Sequence, residues 1–429
     1  MLKRKLSPGQ IISAGFAVVI IIGAALLMLP MSINKDVYLA PIDAIFTSTS
    51  AVCVTGLIAA DAADTFTVFG RTVLAVLIQI GGLGITSIGV GLIMLSGKKI
   101  NMRERVLVKE ALNYNSFKGV LSLVKSVLIM TLSFELCGMI LSLAVFARDY
   151  PFWDAVGISA FHAVAAFNNS GFDILGGLRN LIPYQDNILL NLTTCMLIIF
   201  GGLSFFVIRE IIAKHSFRKF SLHTKVVITV TVSLLITGTL FIKATEDVSW
   251  LGAFFFSTSA RTAGFSTYPL GGFSNSGLFV LLVLMFIGAS PGSTGGGIKT
   301  TTFSVLLCAL LNASKSDNLS MFKRKLPAKL LYKALIITLL AFTVVIISTF
   351  LLCVSEPDIN FISLLFEAVS AFGTVGLSTG ITPGLTIFSK AVLMLTMFIG
   401  RLGPLTIASL MITKSDMAVS YAEESMSVG

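Results

Sequence analysis

The sequence predicts an all-α protein that crosses a membrane many times and is built from four similar units. Hydrophobic residues make up 55% of the 429-residue chain and charged residues only 12%, about half the charged fraction of a soluble domain. The apolar residues are gathered into long runs. A short motif also occurs four times: a phenylalanine, a small residue five positions later, and a glycine five positions after that.

Eight apolar runs are long enough to cross about 30 Å of hydrocarbon as helices. They are 10–29, 70–96, 119–146, 187–212, 224–242, 278–311, 331–354 and 386–412, of which the sixth is interrupted. The even number of crossings predicts that both termini lie on the same side. No small-residue cleavage site follows the first run, so we interpret it as a retained span and not as a signal peptide.

The charges alternate in sign along the chain. Basic residues cluster at 3–5, 98–109, 209–225 and 315–333, and acidic residues lie between them at 61–64, 149–154, 246–247 and 356–358. Basic loops normally stay in the cytoplasm, so this pattern places the basic loops and both termini inside. The net charge of +10 therefore orients the chain in a bilayer, with anionic headgroups near the basic loops, and requires no nucleic-acid partner.

One shorter apolar run lies between the two long runs of each unit. These runs are 42–54, 152–167, 250–259 and 361–372, and they are too short to span a bilayer, so we expect re-entrant helices. Residues suited to cap a helix N-terminus stand near their outer ends, namely Asp43, Asp154, Ser249 and Asn360. Each re-entrant helix would then start outside and direct its C-terminal end toward the bilayer centre.

The motif glycines follow these short runs directly. The four copies are Phe46/Ala51/Gly56, Phe161/Ala166/Gly171, Phe254/Ser259/Gly264 and Phe366/Ala371/Gly376. A second glycine, preceded by Ile or Phe, lies in the following span of each unit at Gly81, Gly201, Gly288 and Gly400. The predicted unit is therefore span, re-entrant helix, glycine loop and span. The four repeats would cover 1–97, 98–213, 214–312 and 313–412, with a cytoplasmic tail at 413–429.

Four glycine loops at matching depth predict a ring that binds ions. Non-helical backbone at membrane depth must be buried in protein or line a watery cavity. A ring of backbone carbonyls can replace the hydration shell of a monovalent cation, and the C-terminal ends of the short helices add partial negative charge. The predicted selectivity filter is Val54, Thr55, Gly56, Asn169, Ser170, Gly171, Thr262, Ala263, Gly264, Thr374, Val375 and Gly376. The alternative is that these loops are tight turns between helices.

The segment 290–299, with the sequence SPGSTGGGIK, interrupts the sixth run. One proline and four glycines do not continue an α-helix, so the span must open here. The segment is not a phosphate-binding loop, because Ile298 separates Gly297 from Lys299. It is either a functional element at membrane depth or a broken helix that serves only packing.

Two further charged residues lie inside apolar runs. Arg401 follows Gly400 in the last run, and an arginine in the membrane, which costs about 3 kcal/mol, normally faces a cavity or a partner. We expect it to project toward segment 290–299; the alternative is that its side chain reaches the membrane interface. Glu135 lies in the third run and should pair with Lys125 or with an inner polar group.

The loop sequences VTGL, NNSGF, RTAGF and TVGL, together with IGGLG, GSTGGGIKT and FIGRLGP, resemble the Ktr/Trk/HKT superfamily of potassium transporters nearly from end to end. Within it, the chain is most similar to the bacterial Ktr membrane subunits. The resemblance implies K⁺ uptake across a bacterial plasma membrane, preference for K⁺ because all four filter positions are glycine, and uptake that is often stimulated by Na⁺. It also implies an intramembrane gate made of Gly292, Ser293, Thr294, Gly295, Gly296, Gly297, Lys299 and Arg401.

The same resemblance implies a homodimer that sits on a separate cytoplasmic ring of nucleotide-binding regulatory subunits. No tightly bound cofactor is expected, and no metal other than the transported ion. The five cysteines show no CxxC spacing, which argues against a zinc site or a disulfide framework. Only three histidines are present and two, His215 and His223, lie in a basic loop, so an intramembrane enzyme is not predicted.

The competing functional class is a secondary carrier with alternating access. Its discontinuous helices would also explain the glycine interruptions. Carriers of this kind usually contain two repeats, whereas the motif occurs four times here. The sequence therefore favours a pore.

Overall fold

The computed structural model describes residues 7–95, 101–111, 120–312 and 319–403, and these are mostly helical. In chain order the α-helices are α1 (Pro8–Leu27), α2 (Pro41–Val52), α3 (Ala62–Thr65), α4 (Val68–Leu83), α5 (Ile85–Leu95), α6 (Met102–Ala111), α7 (Val120–Phe146), α8 (Phe152–Phe167), α9 (Ile188–Gly202), α10 (Phe205–Lys214), α11 (Leu222–Thr245), α12 (Trp250–Ser259), α13 (Asn275–Phe286), α14 (Thr300–Leu311), α15 (Ala328–Ser355), α16 (Phe361–Gly373) and α17 (Ile387–Leu402). A small hairpin, β1 (Ser320–Met321) and β2 (Arg324–Lys325), joins α14 to α15.

Four of these helices, α1, α7, α11 and α15, are long and apolar enough to cross a membrane. Only 28–33% of the residues in their most apolar windows are buried inside the protein. The remaining surface is apolar and would be unfavourable in water, but it matches a hydrocarbon environment. The protein is therefore a membrane protein, as the composition predicts.

Two predicted spans are not single straight helices. Run 70–96 forms α4 and α5, which meet at 99°, and run 187–212 forms α9 and α10, which also meet at 99°. The first bend is at Gly84, whose φ of +81° ends α4, and the second is at Leu203, whose backbone is extended. Each of these two runs is therefore a bent pair of helices and not one continuous helix. With each bent pair taken as one span, the described residues contain up to six spans, and eight crossings stays a prediction.

Helices occupy all four short apolar runs, as α2, α8, α12 and α16; we call them the short helices. Each short helix packs against the long helix that precedes it and against the helix that follows its glycine loop. The second helix of each unit also packs on the short helix of the next unit, in the pairs α4 with α8, α9 with α12, α13 with α16, and α17 with α2. The last pair returns to the first unit, so the packing is cyclic.

Two of the four predicted N-caps are wrong. The caps of α2 and α8 are Ala40 and Pro151, and Asp43 and Asp154 lie in the first turn of their helices. Pro41 starts α2 at a position where its missing N–H has no helical partner to lose. Ser249 does cap α12, through its hydroxyl and the N–H of Gly252.

Asn360 is the cap residue of α16, but its side chain makes no capping hydrogen bond. Asp43 does not cap α2 but forms an ion pair with Lys390 of α17 at 2.7 Å. The final part of the eighth predicted run, 404–412, and the predicted tail 413–429 lie outside the described residues.

Candidate functional site

The four glycine loops share one unusual backbone conformation. All four motif glycines have positive φ, as does the residue two positions before each of them: Val54 (57°), Gly56 (90°), Asn169 (58°), Gly171 (69°), Thr262 (85°), Gly264 (80°), Thr374 (51°) and Gly376 (94°). A residue with a side chain loses about 1–2 kcal/mol in this conformation. The same strain recurring at equivalent positions in four loops indicates a common structural requirement.

The glycine loops contact one another in a closed ring. A Cβ atom added to any motif glycine would overlap a carbonyl oxygen of the next loop. These overlaps are Gly56 with Ser170 O (2.0 Å), Gly171 with Ala263 O (2.7 Å), Gly264 with Val375 O (2.3 Å) and Gly376 with Thr55 O (2.1 Å). The oxygens all belong to the residue before a motif glycine. Glycine is therefore required both by its positive φ and by the approach of the neighbouring backbone.

The C-terminal ends of the short helices hold the loops in place. The residue before each glycine donates its N–H to a carbonyl of the preceding helix, in the pairs Thr55 with Ser50 (2.7 Å), Ser170 with Ala165 (2.9 Å), Ala263 with Ser259 (2.9 Å) and Val375 with Ser370 (2.9 Å). The Ser50 and Ser370 hydroxyls also accept the N–H groups of Gly56 and Gly376 at 3.0 Å. Sequence reasoning missed these two serines, although both lie six residues before a motif glycine.

The hydroxyl groups of two filter residues have no partner in the described part of the protein. Thr55 Oγ1 and Ser170 Oγ are buried and have no hydrogen-bond partner among the described residues. A buried hydroxyl without a partner is unfavourable by about 1–3 kcal/mol. The C-terminal ends of the four short helices lie beside the same ring and each carries a partial negative charge. The ring is therefore rich in oxygen atoms and favourable for a cation.

The second glycine of each unit is required for a different reason. A Cβ at Gly81, Gly201 or Gly400 would lie 1.8–2.2 Å from the carbonyl oxygen of a residue at the end of the short helix in the same unit. In the third unit, a Cβ at Gly288 would lie 2.2 Å from Gly296 O of segment 290–299. These glycines therefore allow close backbone packing beneath the ring.

Segment 290–299 lies against the glycine loops. It breaks the helix between α13 and α14 as predicted, and Ile287 pairs with Ile298 through a parallel bridge. The Gly296 N–H donates to Thr374 Oγ1 at 3.0 Å, and a Cβ at Gly295 would lie 2.2 Å from Thr262 Oγ1. The segment thus touches the residues that begin the third and fourth filter copies.

Hydrogen bonds also tie the segment to the second unit. The Thr294 hydroxyl donates to Gly201 O at 2.9 Å, the Ser290 N–H donates to Gly202 O at 3.1 Å, and the Phe205 N–H donates to Gly292 O at 3.1 Å. Ser293 is bonded within the segment, to Ser290 O. The segment is therefore held from both sides.

Two positively charged side chains donate hydrogen bonds to the backbone of the segment. Arg401 donates to Thr294 O and to Gly81 O, and also to Gly82 O at 3.1 Å. Lys299 donates to Gly295 O at 2.7 Å. Arg401 thus links α17, segment 290–299 and the end of α4. The structure places it against the segment, as expected.

Glu135 has an inner polar partner and Lys125 is exposed. The Asn168 side chain donates to Glu135 Oε1 at 3.1 Å and to Gln79 Oε1 at 2.8 Å. Asn168 is the C-cap of α8 and immediately precedes the second filter copy. In the same filter copy, the Asn169 side chain contacts Thr262 Oγ1 at 3.0 Å. Asn168 lies 33 positions from Glu135 in the same unit, so this contact could not be found from a single sequence.

Glu367 of α16 and His162 of α8 are also hydrogen-bonded. The fully buried Glu367 accepts from Ser378 and from Thr382, the latter at 2.9 Å. His162 lies 2.9 Å from Thr194 Oγ1. Both side chains therefore stabilise the surroundings of the ring and do not point into a shared acid-base site.

A cavity of about 310 Å³ lies on the side of the ring away from segment 290–299; we call it the vestibule. Gly56, Gly264 and Gly376 line it, together with residues that follow the motif glycines, among them Asp173 and Asn180. Asp173 is in a loop outside the spanning helices, where burial raises the pKa of its carboxyl to about 6. It is therefore mostly charged at pH 7.5.

The chain is similar to known cation transport proteins. Residues 7–421 match the family model TrkH, described as cation transport protein. The chain is 39% identical to the Ktr system potassium uptake protein B of Bacillus subtilis, over 94% of this chain and 92% of that protein. It is 36% identical to the potassium/sodium uptake protein NtpJ of Enterococcus hirae, over 100% of this chain and 98% of that protein.

The fold is also similar to a solved structure. The potassium transporter TrkH from Vibrio parahaemolyticus superposes with a TM-score of 0.74, covering 96% of this chain and 86% of that chain. The sequence identity is 18%. This similarity concerns the fold, and the sequence matches carry the family assignment.

Proposed function

Because the chain belongs to the TrkH family of cation transport proteins, we propose that it is the pore subunit of a K⁺ uptake system in a bacterial plasma membrane. It is a transporter and not an enzyme. The observation that supports the proposal most strongly is the closed ring formed by four glycine loops of equal backbone conformation. The relatives named above as potassium uptake proteins support the choice of ion.

In the proposed mechanism, K⁺ loses its water at the ring. The carbonyls of the two residues before each motif glycine replace the hydration shell, and the unpartnered hydroxyls of Thr55 and Ser170 supply further oxygens. The negative ends of the four short helices favour the cation at this point. All four filter copies carry glycine, so the ring is proposed to select K⁺ over Na⁺. Na⁺ as a stimulating ion is part of the same proposal.

Segment 290–299 and Arg401 form the proposed gate. The segment lies directly beneath the ring, and its hydrogen bonds to the ring and to the second unit keep it there. Arg401 places a positive charge beside the path of a cation and fastens the segment at Thr294. Conduction therefore requires these hydrogen bonds to open and the segment to move aside.

The remaining proposals concern topology and partners. We propose four repeats with eight crossings, both termini in the cytoplasm, and a homodimer that binds a cytoplasmic ring of nucleotide-binding subunits through its basic loops and C-terminal tail. The bent pairs of helices would also suit an alternating-access carrier. The cyclic packing of four units favours a central pore instead.

The direct test is ion flux through the purified full-length protein in liposomes. With an inward gradient of K⁺ or Na⁺, the proposal predicts K⁺ uptake at least about tenfold faster than Na⁺ uptake, a discrimination of about 1.4 kcal/mol. Liposomes that contain no protein are the control. Equal rates for the two ions would contradict the proposed function.

A further inference from the structure

Asp173 is the only charged side chain among the described residues that line the vestibule. It is 7% exposed and lies two residues after Gly171, close to the second filter copy. The carboxylate accepts the N–H of Leu175 at 3.0 Å and one N–H of the Asn180 side chain at 3.2 Å. A carboxylate can accept about four hydrogen bonds, so part of its capacity is available to the cavity.

The Asn180 side chain fixes the carboxylate relative to the ring. Its Nδ2 atom donates both to Asp173 Oδ2 and to Gly171 O, at 3.2 and 3.1 Å. Its Oδ1 atom accepts the N–H of Ser266, two residues after Gly264, at 3.0 Å. Asn180 thus connects the charge to a carbonyl of the second filter copy and to the third loop. The carboxylate has a defined position above the ring and is not a mobile surface group.

The size and the charge of the vestibule suit a hydrated cation. A cavity of about 310 Å³ has room for an ion with its first hydration shell, since one water needs only about 10–15 Å³ of such volume. Among the described lining residues only Asp173 is charged, so the charge of the lining is negative; Asp61 and Arg179, outside the lining, act on Asp173 with opposite signs. A walled cavity lined by one sign of charge concentrates ions of the opposite sign.

We propose that Asp173 is the carboxylate of an outer binding site, at which a hydrated monovalent cation is held in the vestibule before it loses water at the ring. This inference rests on the proposed function, because it assigns a step that precedes the filter. The cation interacts with Asp173 through its hydration water, and Asn180 keeps the carboxylate oriented. The site raises the local cation concentration and lowers the external K⁺ concentration needed for uptake.

The test measures initial K⁺ uptake into liposomes against external K⁺ concentration. Asp173→Asn keeps the shape of the side chain but removes its charge, so the half-saturating K⁺ concentration should rise by about fivefold while the maximal rate changes by less than about twofold. Asp173→Glu restores the charge and should bring half-saturation back to within about twofold of the wild type. The matched control is Asp358→Asn, which removes an exposed acid outside the vestibule.

Ionic strength provides a second readout that a merely structural role would not move. Raising an inert salt from about 0.02 to 0.5 M shortens the Debye length from roughly 20 Å to 4 Å. This change should raise half-saturation in the wild type and have little effect in Asp173→Asn. Equal half-saturation in the wild type and Asp173→Asn, or an equal rise in Asp358→Asn, would overturn the outer site while K⁺ selectivity and the proposed function remained. Equal uptake of K⁺ and Na⁺ by the wild type would overturn both.

Discussion

At the scale of single residues, the ring depends on glycines that serve two different purposes. The motif glycines have positive φ and meet the carbonyl of the next loop, whereas the glycines at positions 81, 201 and 400 allow a helix to approach the end of a short helix. The sequence motif predicts the first group, because the spacing is regular. The partners of Arg401 come from other units, and the partner of Glu135 lies 33 positions further along the chain, so no local pattern could have identified Gly81, Thr294 or Asn168.

Replacement of Arg401 tests the proposed gate at the scale of a single residue. Arg401→Ala removes hydrogen bonds from a charged group to Thr294, Gly81 and Gly82, each worth about 1.5–3 kcal/mol. Losing even the smaller amount should raise the open fraction of a mostly closed gate by about tenfold. K⁺ flux in liposomes is the measurement, and Arg148→Ala, at an exposed position, is the control.

Deletion of residues 293–297 should raise K⁺ flux in the same way, because it removes the segment that Arg401 fastens. Unchanged flux in both variants would show that segment 290–299 has a packing role only.

At the scale of elements, the short helices and the break at 290–299 could be predicted because helix length and glycine content are local properties. The two bends of 99° could not be predicted from hydropathy, since the apolar runs continue through Gly84 and Leu203. The wrong cap of α2 had a visible signal in Pro41, which favours the first position of a helix; Pro151 is itself the cap residue of α8. Asp43 and Asp154 are instead in the first turn, where an acidic side chain also stabilises the helix.

The contact between α8 and α9 gives the prediction for this scale. Gly201→Ala would place a Cβ 1.8 Å from Phe167 O, so the helices must separate at the base of the second filter copy. Overpacking of this kind costs about 1–3 kcal/mol, and the unfolding temperature in detergent should fall. Gly89→Ala in α5, where nothing lies within 4 Å of the added carbon, is the matched control. Equal unfolding temperatures in the two variants would contradict the close packing.

At the scale of the whole molecule, four units close into a ring because the second helix of each unit packs on the short helix of the next. Asp43 and Lys390 join the first unit to the fourth across 347 positions of sequence. Their side chains are 20% and 8% exposed, and the nitrogen-oxygen distance is 2.7 Å. Repetition of the motif predicts four units, but the residues that close the ring become visible only in three dimensions.

The ion pair between Asp43 and Lys390 should stabilise the closed ring of four units. Lys390→Met and Asp43→Asn should each lower the free energy of unfolding by about 2 kcal/mol, since each leaves a largely buried charge without its partner. The double variant should lose less than the sum of the two. Lys214→Met, which breaks the more exposed pair between Lys214 and Glu210 within one helix, should lose less than about 1 kcal/mol. Additive losses in the double variant would show that the pair does not stabilise the ring.

The central claim is that the ring of four glycine loops selects K⁺. The most direct measurement is the ratio of K⁺ to Na⁺ flux in liposomes for the wild type and Gly56→Ser. The added side chain would stand 2.0 Å from Ser170 O at a φ of +90°, so the ratio should fall by about tenfold, or about 1.4 kcal/mol of discrimination. Gly157→Ser, at an exposed position of α8 with nothing within 4 Å, should keep the wild-type ratio. An unchanged ratio in Gly56→Ser would contradict the claim.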